Sequence, residues 1–565
     1  ITPDLGGIEQ YAISLSVDEI RIRGSDRLGA IFGIYAFCER LLGIDPLYFW
    51  KDLFPAPTAH VEIQEGEIRS KPYAIRYRGW FLNDEDFLCE WKPGGGRRHL
   101  TYPYYGQVPA PEVMDAVFEA ALRCRANLII PASFTDVMNP PEAGMVRRAV
   151  ARGLYVSQHH VEPLGVSHFA FDTFWENRGR PMVFSYGRNP DAVRETWRAY
   201  AARWVELAGD RIVWQLGLRG RGDAPVWDSD PGVAQADAAD LISRAIQDQR
   251  KIVLDVDPRA APVMTVTLWD EMSELMRGGG LALPEEILVV FSDHGPTQEI
   301  QADFRETPRK PGVRYGVYSH IAQWDRGGHF IQGCDPFRLE RTIRAVMMKG
   351  DTEYAIFNVA NIREHVLGIQ AAMDMTADLP DWDADLFLDR FAGPLKPDYI
   401  RFFHAIAQWD SGPFQDGDAH RNFLSWLQWR EAMATSGAAH FEPFEKHGFH
   451  TPEKRRAAER RLEASLATFD LLAGDAAIAA SPFHRIHLGL QSALMAELYR
   501  LNVCALRCRD GLKDASDAVR SLQHILELRK KAEEGRWKNW YRGDRKANWK
   551  EMLNRLQKLE RKERV

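Results

Sequence analysis

Ile75-Arg76-Tyr77-Arg78-Gly79-Trp80-Phe81-Leu82-Asn83-Asp84-Glu85-Asp86 decides the fold. It is a largely apolar run of strand length that ends in four consecutive polar residues, three of them acids. Seven more runs of this kind follow, at residues 127–133, 155–160, 212–220, 262–268, 287–293, 313–320 and 353–361. Each has the length of a buried strand, several are rich in Val, Ile, Tyr or Phe, and amphipathic segments separate them. Strands alternating with helices form a parallel sheet, and eight of them predict a closed (β/α)8 TIM barrel of the α/β class. The runs end in Asp84-Glu85-Asp86, His159-His160, Arg219-Gly220-Arg221-Gly222-Asp223, Asp293-His294, His320 and Asn358. In such barrels catalytic groups lie where strand C-termini meet their loops, so these side chains are expected around one mouth, as in an enzyme.

The rest of the chain is organised around that barrel. At 565 residues it is too long for one core. Residues 10–24 read as two short strands and residues 27–42 as a helix, which predicts a small N-terminal α/β domain over 1–70. The barrel is expected over 71–385, with helices near 110–125, 142–152, 190–208 and 234–249. Beyond it strand-like runs disappear, and residues 399–435, 452–475, 482–512 and 514–535 predict a C-terminal helical bundle over 386–565, ending in a basic helical tail from Arg542. The basic clusters at Arg455-Arg456 and over residues 558–564 read as solvated helix faces.

A formal net charge of −7 gives no reason to expect nucleic acid or an anionic membrane as partner. No apolar run reaches the roughly 18 residues of a membrane span. The chain opens at Ile1 without Met or a signal-peptide pattern, which reads as a processed or trimmed product of unassigned compartment. Six cysteines are too few and too scattered for a disulfide scaffold, and Cys504 and Cys508 read as helix packing.

Three acids at 84–86 would repel one another unless solvated or given cations, and a pocket containing Arg219 and Lys251 is expected to supply them. His159, His160 and Glu162 could ligate a metal, but carboxylates stand where a metal amidohydrolase barrel carries His-x-His. Neutral imidazoles that hydrogen-bond ligand hydroxyls are the preferred reading. The glycines at 217, 220 and 222 let backbone approach a ligand, while Arg219 can grip a carboxylate in a bidentate fork. Glu271, beside Trp269 and apolar neighbours, fits a carboxylic acid of raised pKa; the alternative for Asp270 and Glu271 is a pair of charges at a helix N-terminus. Trp80 and Trp269 fit either a ligand platform or the core.

Several stretches together resemble glycoside hydrolase family 115, the xylan α-glucuronidases. They are Gly24-Ser25-Asp26 with Gly33-Ile34-Tyr35, Tyr77-Arg78-Gly79 with Asn83-Asp84-Glu85, and Ala126-Asn127 with Pro131-Ala132. His159-His160 with Glu162-Pro163, Gly217-Leu218-Arg219-Gly220 with Gly222-Asp223, Asp248-Gln249-Arg250-Lys251 and Asn358-Val359 complete the set. The resemblance spans about residues 20–370. It implies inverting, exo-acting hydrolysis that releases glucuronic acid or its 4-O-methyl ether from xylan or a related plant polysaccharide, with an oligosaccharide or polysaccharide as substrate. No cofactor or resident metal is expected, because no metal-ligand spacing is convincing. It places Glu271 at the general acid, Asp223 or Asp84 at the base, and Arg219 and Lys251 around the sugar. His160, Glu162, Asp293, His294, His320, Asn358 and Arg363 are then expected to bind substrate. The chain departs from the family pattern at Arg221 and Ala224, where acids are usual, at Ser292 and His294 within an Asp-Asp-Asn run, and at Gln323 in place of Tyr. Val161 interrupts the His-His-Glu-Pro run, and no counterpart of the usual C-terminal β-sandwich is found. Alternatives are a glycosidase on another sugar, an inactive carbohydrate-binding barrel, or a metal-dependent hydrolase using His159, His160, Asp293 and His320. Monomer and homodimer are both open.

Overall fold

The computed structural model describes residues 5–57, 59–230, 232–477, 481–511 and 514–563. Its centre is the parallel barrel. The strands are β4 (Tyr77–Phe81), β5 (Leu128–Ile130), β6 (Tyr155–Val156), β7 (Val213–Leu216), β8 (Val263–Leu268), β9 (Leu288–His294), β11 (Tyr315–His320) and β12 (Tyr354–Asn358). They pair in the order β6-β5-β4-β12-β11-β9-β8-β7, and a short β10 (Glu299–Ile300) adds antiparallel to β9. A parallel bridge from Val156 to Ile212 brings the two ends of that order together. Side chains alternate across each strand. Tyr77, Phe81, Leu128, Ile130, Val213, Leu288, Val290, Tyr318 and Ile356 fill the interior as one cluster. The opposite faces, including Trp80, Ile129, Trp214 and Phe357, join the outer core against the helices. Trp80 is therefore core. Gly79 is required on β4 because a Cβ there would sit 1.7 Å from the Leu128 carbonyl oxygen.

Helices Pro111–Arg123, Pro140–Ala151, Pro190–Ala208, Ala238–Val256 and Pro336–Met348 cover the outside. Before the barrel, β1 (Tyr11–Leu15), β2 (Ile20–Gly24) and β3 (Gly66–Arg69) form an antiparallel sheet in the order β2-β1-β3. The helix Arg27–Arg40 packs beside it, its first turn capped by Asp26, which accepts from the Gly29 N–H at 2.8 Å. Buried Glu9 accepts from Arg78 at 2.7 Å and from Asn127 at 2.9 Å, tying this sheet to the barrel.

The C-terminal region contains helices Asp416–Ser436, Pro452–Ala477, Gln491–Arg509, Ser516–Ala532 and Trp549–Glu563. Two expectations need correction here. The single helix expected over 399–435 is interrupted by the small hairpin of Gln408–Trp409 with Gly412–Pro413. The expected helical tail from Arg542 begins only at Trp549; Gly543 and Asp544 break it, and residues 544–548 run as a turn against the barrel. Trp537 stacks on Trp91 at 4.9 Å between ring centroids, and Trp540 meets the same ring edge-on at 5.0 Å. The last segment is thereby packed onto the loop after β4. No described helix is long and apolar enough to cross a membrane.

Candidate active site

The three acids that follow β4 go three ways. Asp84 lies at the mouth with a left-handed backbone (φ 66°). It accepts from the Trp324 backbone N–H at 2.8 Å and from Lys546 Nζ. Burial alone would raise its pKa, but Lys546 and His329 hold it below the usual carboxylate value. Glu85 turns under the first loops, where it accepts from Arg98 at 2.9 Å and from the Ser133 hydroxyl at 3.0 Å. Asp86 lies 3.2 Å from His329 and accepts from the backbone N–H groups of Arg545 and Lys546 at 3.2 and 3.3 Å. The cations that neutralise the run are therefore Lys546, Arg98 and His329, not Arg219 and Lys251.

Arg219 follows β7 and gathers two carboxylates. Its Nε is 2.8 Å from Asp223 Oδ1, its Nη1 donates to Glu271 and, at 3.1 Å, to the Trp269 carbonyl, and its Nη2 donates to the Asp223 carbonyl. Asp223 reaches this position through a tight turn in which Gly222 has φ 65° and Asp223 itself 75°. His160 Nε2 stands 3.2 Å from the same Asp223 oxygen. Burial opposes ionisation of Asp223, but Arg219 and His160 hold its carboxyl far below the usual range. Glu271 opens the helix Glu271–Arg277, and burial, opposed by Arg219, pushes its pKa up to about 7. Two neighbouring carboxylates are thus pushed apart in acidity, as an acid and its ionised companion require.

On β9, the strand next to β8, Asp293 accepts from the Ser319 hydroxyl at 2.6 Å, the His320 N–H at 2.9 Å and His320 Nδ1 at 2.5 Å. Tyr318 lies at the centre. Its ring is 4.6 Å from His320, 5.8 Å from His160 and 6.2 Å from Trp269, and its hydroxyl feels the charges of Asp293, Asp223 and Asp84 together. Asn358 is buried at the end of β12 and accepts from the Ala360 N–H at 3.2 Å. Burial lowers the pKa of both His159 and His160, so both rings are neutral near pH 7.

The fold does not bring every expected residue here. Lys251 lies on the outer helix Ala238–Val256 with 68% of its side chain exposed, 3.9 Å from Asp248. A strand-end register delivers side chains inward, whereas a covering helix presents its polar face to water. Arg363 is directed away by the turn after β12; it donates to the Ala532 carbonyl at 2.8 Å and lies 4.0 Å over the Trp537 ring. Glu162 accepts from the Phe134 N–H at 2.7 Å and lies 3.7 Å from His159, and its charged neighbours are Arg98, Glu142 and Glu85. His294 is exposed on the β9–β10 hairpin, 3.1 Å from Thr297 Oγ1. Arg221 points outward, paired with Asp172 at 2.7 Å. The sequence reading missed Lys546, Tyr318 and the Trp324 loop. Tyr318 was legible, because it is two residues from His320 and strand alternation points both inward. Lys546 was not, beyond the Gly543-Asp544 interruption of the helical pattern. Among the described residues, no three His, Cys, Asp or Glu side chains are grouped as a metal site requires.

No curated protein matches this chain. Among solved structures, one described as a family GH115 4-O-methyl-α-glucuronidase with specificity for decorated arabinogalactans is similar over 97% of this chain and 71% of its own, with 19% identity and a TM-score of 0.69. That is a likeness of fold. The structure of CpGH89 from Clostridium perfringens, in complex with GlcNAc-α-1,4-galactose, aligns over 96% of this chain and 73% of its own at 11% identity, with a TM-score of 0.45. The model of glycosyl hydrolase family 115 matches residues 70–394, which include the whole barrel and its ring of carboxylates and histidines. With its strand-end acids held at one mouth, the chain belongs to glycosyl hydrolase family 115 and is a glycoside hydrolase.

Proposed function

We propose that the protein is an inverting, exo-acting α-glucuronidase-like enzyme in which Glu271 is the general acid and Asp84 the general base. The observation that carries the reading is their placement. β4 and β8 are four steps apart in either direction around the eight-stranded order, so Asp84 and Glu271 stand across the mouth from each other. Asp223, from the strand next to β8, shares Arg219 with Glu271 and is better suited to hold that guanidinium than to work from the opposite face. Inversion needs acid and base on opposite faces of the sugar, about 6.5–9.5 Å apart, with room for a water molecule.

The pKa values fit these roles. Glu271 carries its proton up to about pH 7, while Lys546 keeps Asp84 ionised and able to accept one from water. In the ionised form Glu271 occupies Arg219 Nη1. Its protonation weakens that pair, and the freed donor can receive the carboxylate of a uronic acid. Neutral His160, together with His320 and Asn358, supplies hydrogen bonds to sugar hydroxyls, and Trp269, half-buried beside His320 at 5.0 Å, supplies an apolar face. The relative described as a 4-O-methyl-α-glucuronidase on decorated arabinogalactans supports a uronic-acid branch as substrate, on xylan or on another plant polysaccharide.

The test is a panel of p-nitrophenyl glycosides and uronic-acid-decorated oligosaccharides, with the anomer of the released sugar followed by NMR. Release of glucuronic acid as the β-anomer from an α-linked substrate is the expected result. Retention of configuration sinks the Asp84 assignment, and cleavage of neutral sugars alone sinks the uronide. Because the carboxylates suffice, EDTA is expected to leave the rate unchanged; a loss reversed by Zn²⁺ points to a metallohydrolase instead.

A further inference from the structure

A cleft of about 640 Å³ lies beside the barrel mouth, between the loop after β11, the helix Asp416–Ser436 and the helix Trp549–Glu563. Arg421, Leu424, Ser425 and Gln428 line one wall, and their i, i+3, i+4, i+7 spacing turns one helical face to the void. Glu551 and Arg555 face it from the other helix. The cleft is continuous with the candidate site, because Lys546, which holds Asp84, also lines it. So do Tyr104 and Trp324, whose rings lie 5.1 Å apart.

Four of the five lysine and arginine side chains that line the cleft are already paired. Arg326 pairs with Asp418 at 3.2 Å, Arg421 with Asp325 at 2.6 Å and Arg555 with Glu431 at 2.5 Å, while Lys546 is taken by Asp84. The walls therefore offer no free cluster of cations to a polyanion. They offer aromatic rings together with hydroxyl, amide and imidazole groups, the combination that suits a neutral sugar chain with apolar ring faces and polar edges. The volume lies within the roughly 300–1,000 Å³ of ligand sites.

We propose that this cleft binds the neutral main chain of the branched glycan whose terminal sugar enters the barrel mouth, with Trp324 as the stacking platform. The proposal rests on the exo-glycosidase reading. It also follows from the closure of the mouth: Asp84, Arg219 and Glu271 are all buried, so an enzyme that encloses the terminal sugar must pass the remaining chain over the rim. Glu271 stands on the far side of the mouth from this cleft, so the chain crosses the rim first. The cleft then touches sugars several residues from the bond that breaks, and its contribution grows with chain length.

The experiment titrates the full chain with xylohexaose and with a β-1,3-linked galactohexaose by calorimetry, in the wild type, Ser425→Trp and Trp324→Ala. Wild type is expected to bind one of them, and each variant to weaken that binding by at least about tenfold. Trp324→Phe, which keeps a stacking ring, is expected to recover most of it. The ratio of kcat/KM on a branched polymer to that on an aryl glycoside should fall in parallel in Ser425→Trp. Absence of hexasaccharide binding by wild type, or binding unaltered in Ser425→Trp and Trp324→Ala, overturns the cleft. Absence of uronide hydrolysis with hexasaccharide binding intact overturns the uronide reading instead and leaves the cleft standing.

Discussion

Glu271 and Asp84 are both buried acids, yet their surroundings drive them to opposite protonation states. A general acid must be protonated, and the fraction of Glu271 that carries a proton falls as pH rises through about 7. The rate on a poor leaving group is therefore expected to decline above that pH. Glu271→Gln should lower kcat by about 10²–10⁴-fold and remove the alkaline limb, with a smaller loss on an activated phenolate. Steady-state profiles on both substrates check this. Lys546 acts in the other direction, by depressing the pKa of Asp84. In Lys546→Met the carboxylate loses its cation, so its pKa rises and the acidic limb moves to higher pH. Lys546→Arg should restore the limb. An unpaired buried charge also costs about 3–5 kcal/mol, which chemical denaturation at neutral pH would detect. At this scale the sequence was a good guide to residue type at strand ends and a poor one to pairing. Asp84 was singled out, but the lysine that faces it lies 462 positions away.

At the scale of elements, the strand-then-turn pattern places the chemistry. Asp84, Phe134, Asp223, Asp270 and Ala360, each shortly after a barrel strand, have positive φ. Such conformations are sparsely populated for non-glycine residues and gather at functional sites, where surrounding packing maintains them. The strands themselves tolerate little change. Gly79→Ala drives a methyl into the Leu128 carbonyl and forces β4 away from β5. We expect a loss of about 1–3 kcal/mol in denaturant unfolding, with lower kcat because Asp84 follows the same strand. All eight strands were legible because each is an apolar run bounded by turns. The errors of placement came from elements that repeat a pattern without its context. Lys251 sits in a helix whose outward face is polar, and residues 542–548 are basic like a helix but broken by Gly543 and Asp544.

At the scale of the whole molecule, the sheet before the barrel, the barrel and the C-terminal helices share one buried seam. Trp540 is fully buried, its ring centroid 5.0 Å from Trp91 and 6.2 Å from Trp50, and its indole N–H donates to Glu364 at 2.7 Å. Trp540→Ala is expected to cost about 3–5 kcal/mol and to lower the melting temperature. It should also weaken catalysis, because the turn that carries Lys546 is anchored only a few residues further on. Circular dichroism melts alongside kinetics check both effects. By itself the sequence determined the α/β class, the number of barrel strands and the acids and histidines at their ends, because burial imposes a local periodicity that can be read along the chain. Only the tertiary structure decided that Lys546 neutralises Asp84, that Arg219 joins Asp223 to Glu271, and that Lys251 and Arg363 stay outside the mouth. Those are contacts between distant segments, set by how strands close into a ring and where the last helices dock, and no local pattern encodes them.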